Sequence, residues 1–114
     1  TAKNAAATLG CDVSMELRPG YPPTLNHESD ALFARDIITD MLGADGLETD
    51  MTPVMGAEDF SLMLEKKPGA YIWLGAGLQS ENLHSPHFDF NDDLLPIGAS
   101  FWVQLAQSKL TQST

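Results

Sequence analysis

Residues 70–75 read Ala70-Tyr71-Ile72-Trp73-Leu74-Gly75, a short and almost entirely apolar run that is rich in strand-forming side chains. Pro68-Gly69 breaks the chain in front of this run, and Gly75-Ala76-Gly77 leads out of it. A strand that is covered on both faces has this profile, and such burial is typical of a parallel sheet. The run therefore predicts a buried strand, with a ligand site expected in the loop after its carboxyl end.

Patterns with helical spacing lie on both sides of this strand. Asn26 is placed to cap a helix that runs to about Leu42, and the buried stripe of that helix would consist of Phe33, Ile37, Ile38 and Met41. A shorter helix is predicted over residues 58–66. A long terminal helix follows the Asn91-Asp92-Asp93 cap and carries apolar residues at core spacing: Leu94, Ile97, Phe101, Trp102 and Leu105.

Two further strands are predicted nearer the amino terminus. Residues 11–17 alternate apolar and polar side chains, as a strand with one buried face does, and residues 47–51 are a short, mixed candidate. Residues 1–9 are alanine-rich and stop at Gly10, so they resemble the last turns of a helix. The alternation of helices and strands predicts an α/β fold, in which a mostly parallel sheet is flanked by helices.

Composition limits the classes of protein to which the chain can belong. A length of 114 residues with 43% hydrophobic residues predicts one folded domain with its own core. The formal net charge of −10 argues against nucleic acid or an anionic membrane surface as a partner, because both require a positive surface. The single Cys11 allows no internal disulfide, which suits a cytoplasmic protein.

The segment Leu83-His84-Ser85-Pro86-His87-Phe88-Asp89-Phe90-Asn91-Asp92 places a histidine before a chain-stiffening proline and an acidic helix start. This arrangement suits an imidazole held at a fixed place, so His84 is predicted to be one ligand of a metal centre. The alternative is a loop histidine hydrogen-bonded to its surroundings. Spacing alone favours that alternative, because a lone histidine is weak evidence for a metal site.

Four motifs carry a resemblance to a known family: Tyr21-Pro22-Pro23-Thr24-Leu25-Asn26, Met55-Gly56-Ala57-Glu58-Asp59-Phe60-Ser61, Gly69-Ala70-Tyr71-Ile72-Trp73-Leu74-Gly75 and the histidine segment. Their order and spacing resemble the carboxyl-terminal segment of the M20 metallopeptidases, above all the branch that hydrolyses N-acyl amino acids, such as hippurate hydrolase. Chains of that family are several times longer. With this family motif around it, His84 is favoured as a metal ligand over a loop histidine.

The resemblance implies a division of the chain near the Pro19-Gly20-Tyr21-Pro22-Pro23 stretch. Residues 1–20 would be the last helix and strand of an α+β lid domain that forms the dimer interface. Residues 21–114 would be the carboxyl-terminal part of a zinc-peptidase-like catalytic domain, with its mostly parallel sheet.

The resemblance also implies the chemistry. The intact enzyme would use two divalent metal ions, zinc, manganese or nickel, and a metal-activated water to cleave the amide bond of N-acyl amino acids or similar small peptides. His84 matches the family's metal-binding histidine. The family's general base belongs to a glutamate pair upstream, and no Glu-Glu pair occurs here. We therefore assign no catalytic residue, and the substrate-binding residues remain unknown.

Other candidate residues are predicted to be structural. His87 is expected at the surface or in contact with the metal ligands rather than with the metal, and His27 is expected to be exposed to solvent. Glu58 and Asp59 are expected to complement the start of a helix, with a role in ordering the site as the alternative. Cys11 is expected in the core, and the same is predicted for both tryptophans, Trp73 and Trp102.

The sequence leaves several hypotheses about function open. This chain by itself is predicted to hydrolyse nothing and to hold little or no metal, so one alternative is a non-catalytic folding or assembly module. Uncovered apolar faces would then cause self-association, and a homo-oligomer is also what the resemblance implies. A small acidic ligand-binding domain is a third possibility, supported only by the charge.

Overall fold

The computed structural model describes residues 1–111, and its regular structure is helical. The helices are α1 (Ala2–Thr8), α2 (Glu28–Leu42), α3 (Phe60–Leu64) and α4 (Leu94–Thr111). A single 3-10 turn, Ala44–Gly46, follows α2. All four predicted helices are therefore confirmed, although α3 is shorter than predicted.

The core of the structure lies between α2 and α4, which pack against each other. Ala34 and Ile37 of α2 and Phe101 of α4 are buried there. Half-buried apolar side chains surround these three: Phe33, Ile38, Met41 and Leu105. The apolar stripe predicted for α2 is thus confirmed, and its partner is the terminal helix.

The two ends of α2 differ in how well the sequence predicts them. At the carboxyl end Gly43 has a φ of 77° and donates its N–H to Thr39 O at 2.8 Å, in a conformation that glycine adopts without steric cost. At the amino end the capping position belongs to His27, with no side-chain cap, so the predicted Asn26 cap is wrong. The Asn26 amide instead bonds to the backbone of Tyr71, 45 residues away.

Helix α4 is the longest element, with 18 residues. Pro96 is its third residue, where the N–H that proline lacks would have no helical partner. Asn91 stands just ahead of it, and its Oδ1 accepts the N–H of Asp93 at 3.1 Å, as the predicted cap requires. None of the helices within residues 1–111 is long and apolar enough to cross a membrane.

The predicted sheet is not confirmed by the structure. Residues 11–17, 47–51 and 70–75 contain no strand, and the described residues 1–111 contain no strand anywhere. A strand exists only through hydrogen bonds to a neighbouring strand, so an isolated segment with strand-like composition does not form one.

The chain is extended, and little of its apolar surface is buried. Its radius of gyration is 20.7 Å, whereas about 13 Å is usual for a domain of 100 residues. The buried apolar residues among those described are Ala34, Ile37, Leu64 and Phe101. The predicted core is therefore present but small, and it lies between α2 and α4.

Three residues predicted to lie in the core are exposed. Cys11 lies on the surface, with its thiol 3.6 Å from Leu9 O, because the strand that would have turned it inward is absent. Trp73 is 57% exposed for the same reason, since it belongs to the unpaired 70–75 segment. Trp102 is 66% exposed, although its neighbour Phe101 is buried.

Candidate metal-binding loop

His84 lies in a loop that we call the histidine loop, residues 76–91, between the 70–75 segment and α4. Three turns succeed one another within this loop, each closed by a backbone hydrogen bond: Ser80 N–H to Gly77 O (3.2 Å), Ser85 N–H to Asn82 O (3.0 Å) and Phe88 N–H to Ser85 O (3.1 Å). The second and third turns share Ser85, so they form one continuous double turn with His84 inside it.

His84 has an unusual backbone conformation. Its φ is 70°, and it is the one residue other than glycine with a positive φ in the part of the chain that the structure describes. It is the third residue of the 82–85 turn, the position at which type II turns require such a φ. A side chain other than glycine there costs about 1 kcal/mol or more, and such costs concentrate at functional sites. The turn exposes the His84 side chain.

The residues after His84 stiffen the turn. Pro86 is the second residue of the 85–88 turn, where its fixed φ is favourable. The hydroxyl of Ser85 accepts the N–H of His87 at 3.2 Å, which braces the same turn. The proline therefore has the local effect that the sequence predicts, and the backbone beside His84 is constrained on its carboxyl side.

No complete metal site exists within residues 1–111. His84 and His87 are both exposed, and no group of three histidine, cysteine or acidic side chains in this part of the chain is arranged to hold a metal ion. His84 could supply one imidazole nitrogen to a cation. The remaining ligands would have to come from other polypeptide.

Asn91 ties the two ends of the histidine loop together. Its Nδ2 donates to Ala76 O at 3.2 Å, and its Oδ1 accepts the N–H of Asp93 at 3.1 Å. From the sequence Asn91 is predicted only as a helix cap. The bond to Ala76 depends on a fold that brings residues 15 apart in sequence into contact, which no local pattern indicates.

A second polar cluster joins Glu58 to Tyr71. The Glu58 carboxylate accepts the Phe60 N–H at 3.0 Å with one oxygen and the Tyr71 hydroxyl at 2.9 Å with the other. These two bonds, the backbone bond first, lower the pKa of Glu58 below its usual value. The bond to Glu58, followed by partial burial, raises the pKa of Tyr71. The predicted structural role of Glu58 at the start of a helix is confirmed. Asp59 is exposed and occupies the N-cap position of α3, but its side chain makes no capping hydrogen bond.

Asn26 and His27 bind the chain near Tyr71 with four hydrogen bonds. Asn26 donates to Tyr71 O at 2.9 Å and accepts the Tyr71 N–H at 2.7 Å. The His27 N–H donates to Gly69 O at 3.0 Å, and the His27 Nδ1 accepts the Gly69 N–H at 3.3 Å. His27 is half-buried and bonded, so its prediction as a solvated residue is wrong.

Three of the four sequence motifs thus meet through Asn26, Glu58 and Tyr71, and the fourth contains Asn91. The sequence indicates these residues only as polar positions inside the motifs. Their partners could not be paired from sequence, because each contact joins segments 13 to 45 residues apart.

Comparison with known proteins identifies relatives over nearly the whole chain. A family model described as "Peptidase family M20/M25/M40" matches residues 3–108. An IAA-amino acid hydrolase, ILR1-like 5, from Arabidopsis thaliana is 37% identical over 84% of this chain and 23% of its own length. An N-acetyldiaminopimelate deacetylase from Streptococcus suis is 36% identical over 83% of this chain and 25% of its own length. A hippurate hydrolase from Campylobacter jejuni is 35% identical over 91% of this chain. The chain spans only 27% of that hydrolase.

Proposed function

This chain belongs to peptidase family M20/M25/M40, and we propose that it serves as the carboxyl-terminal segment of a metal-dependent amidohydrolase. The relatives named above are hydrolases and deacetylases of small amide-containing molecules. By extension, the substrate would be an N-acyl amino acid or a similar small peptide, and the products a free acid and an amine.

The observation that carries this proposal is the conformation of His84. An exposed imidazole stands on a left-handed residue inside a double turn, at the position where the M20 resemblance implies a metal ligand. Metal-binding histidines need a fixed direction, and a constrained turn fixes the direction in which the His84 side chain leaves the backbone.

The one donor that this chain supplies, the imidazole of His84, suits a transition metal. Imidazole nitrogen is a good ligand for zinc, manganese or nickel, and His84 would hold one ion through one nitrogen. Two ions, when bound, would supply an activated water for attack on the amide carbonyl. The other ligands and the general base would come from outside this chain, because residues 1–111 contain no ligand cluster.

The proposal includes a division of the chain into two domains. Residues 21–114 would complete the catalytic domain, and residues 1–20 would end a lid domain. The exposed Ile72, Trp73 and Leu74 favour this arrangement, because the 70–75 segment would gain strand partners on both sides in a sheet completed by other polypeptide. Dimerisation through the lid and a cytoplasmic location belong to this proposal as well.

The direct test is His84→Ala in the full-length protein. We expect metal content and amide hydrolysis to fall by orders of magnitude while the fold persists, because His84 is exposed and contributes no packing. Metal analysis and turnover of an N-acyl amino acid are the measurements, and His87→Ala is the matched control. Normal turnover at full metal occupancy in His84→Ala would exclude the assignment.

The alternative, a non-catalytic folding or assembly module, has one observation in its favour, which is the large exposed apolar surface of this chain. The two proposals differ in what the source protein holds. A longer protein with two equivalents of metal supports the amidohydrolase, whereas a natural, metal-free product of 114 residues supports the module. On either proposal the isolated chain is expected to hydrolyse nothing.

A further inference from the structure

We infer that Asn91 is a positioning residue that holds the histidine loop closed and thereby fixes the direction of His84. This inference rests on the proposed function, because it concerns the same metal ligand. It adds a residue whose side chain would touch neither metal nor substrate and would act through the backbone of the loop.

The closing bond joins the two ends of the loop. Asn91 Nδ2 donates to Ala76 O across 15 residues, so everything between them, His84 included, forms a loop with adjacent ends. Loops of this kind are compact, are held by their own contacts and are frequently functional. The three turns inside the loop constrain it locally, but only the Asn91 bond joins its beginning to its end among the hydrogen bonds that the structure describes.

The chemistry of the position calls for an amide. The Ala76 carbonyl accepts a hydrogen bond and the Asp93 N–H donates one, and the amide of a single asparagine is the partner of both. Serine or aspartate could still accept the Asp93 N–H as a helix cap, but an ionised aspartate has no proton for Ala76. The Asn91 side chain is half-buried against Gly77, where a Cβ would lie 3.8 Å from Asn91 Nδ2.

The conformation of His84 explains why closure matters. A left-handed, non-glycine residue relaxes to a less strained conformation unless its surroundings hold it. Without the Asn91 bond the double turn would be free to reorient as a unit, and the backbone of His84 would no longer direct the imidazole to one place. Groups that orient metal ligands typically account for about 10- to 100-fold in metal affinity.

The experiment uses the full-length protein and the variant Asn91→Ser, with Asn82→Ser as the control. Asn82 is an exposed asparagine of the same loop, and no side-chain hydrogen bond of Asn82 is described within residues 1–111. Titration of the metal-free proteins with Mn²⁺ or Zn²⁺ should give a dissociation constant about 10- to 100-fold higher for Asn91→Ser. The control should bind as the unmodified protein does. Excess Mn²⁺ should restore turnover in Asn91→Ser, which a general loss of folding would not allow.

A second variant keeps the test decisive if Asn91→Ser does not fold. Asn91→Asp retains a strong helix cap and loses the donor to Ala76, so it should also bind metal less tightly while the circular dichroism of the metal-free protein shows that its helices persist. Unaltered affinity in a folded Asn91 variant, or an equal loss in Asn82→Ser, would overturn the inference. If His84→Ala also kept its metal, the proposed function would fail. If only the Asn91 variants kept it, the inference alone would fail.

Discussion

The α2–α4 pair and the 70–75 segment are both apolar, yet the facing side chains of the helix pair are buried and those of the 70–75 segment are exposed. Ile37 and Phe101 of the helix pair are buried, with 5% and 8% of their surface exposed. In the 70–75 segment Ile72, Trp73 and Leu74 remain 39%, 57% and 48% exposed. Apolar composition alone therefore does not decide burial in this chain.

The difference lies in where each element finds its hydrogen bonds. A helix satisfies its backbone within its own residues, so α2 and α4 need each other only to cover their apolar faces. A strand satisfies its backbone only against a neighbouring strand, and no strand exists among residues 1–111 to provide one. The helix pair thus covers its own apolar faces, whereas the 70–75 segment has no strand partner among residues 1–111.

The largest expected effect is on association. The isolated 114-residue chain should form oligomers, because its exposed apolar segments have no cover within residues 1–111. Ile72→Lys should shift the distribution toward monomer, whereas the same charge introduced at Thr52, a polar surface residue, should not. Light scattering measures both. A monodisperse monomer of the unmodified chain would contradict the expectation.

The next effect is on the helix pair itself. Phe101→Ala should lower the free energy of unfolding by about 3–5 kcal/mol, because it removes the largest of three residues in a small core. Trp102→Ala changes a comparable side chain that is 66% exposed and should have much less effect. Urea unfolding followed by circular dichroism compares the two. Equal losses would mean that the two faces of α4 are not distinguished by burial.

A smaller effect is expected where the 70–75 segment is attached to α2. Asn26→Ala removes both hydrogen bonds to Tyr71, each of which stabilises by about 0.5–1.5 kcal/mol. The amide of Tyr71 should then exchange its hydrogen faster, and amides within the α2–α4 core should be unaffected. Hydrogen exchange of single amides measures this. Unchanged exchange at Tyr71 would show that the bonds do not hold the segment.

The smallest effect is a dependence on pH at Glu58. Its pKa in the folded chain lies below the usual 4.5, so the stabilisation by the Phe60 and Tyr71 bonds is complete above pH 4.5 and is lost as the pH falls through the lowered value. Tyr71, with its pKa raised from 10.0, loses its contribution at the basic end as the pH rises through the raised value. Glu58→Gln should abolish the loss of stability at acid pH, because glutamine does not titrate. The amide chemical shift of Phe60, followed as a function of pH, reports the protonation of Glu58. The same acid transition in Glu58→Gln would contradict this prediction.

The sequence predicts the helices well because their signals are local. The stripe of Phe33, Ile37, Ile38 and Met41 and the glycine at position 43 identify α2 to within a turn. The predicted Asn26 cap of α2 is wrong because asparagine is a favourable cap at the start of any helix. The neighbouring sequence does not indicate that the Asn26 amide binds the backbone of Tyr71.

The candidate site was predictable only in part. The sequence places His84 in a loop stiffened by Pro86, and the structure describes a double turn there. The positive φ of His84 could not be predicted, since histidine adopts it rarely. The closure through Asn91 was also missed, because it needs Ala76 to lie beside α4.

The sequence by itself determined the four helices, the family and the position of the histidine, because side-chain periodicity, caps and motifs are properties of neighbouring residues. Only the tertiary structure decided which apolar residues are covered, which leaves Cys11 and Trp102 exposed and Phe101 buried. It also decided that Asn26, Glu58 and Asn91 bind distant segments. Burial and long-range hydrogen bonds depend on what the fold brings alongside a residue, and the order of amino acids around that residue does not contain this information.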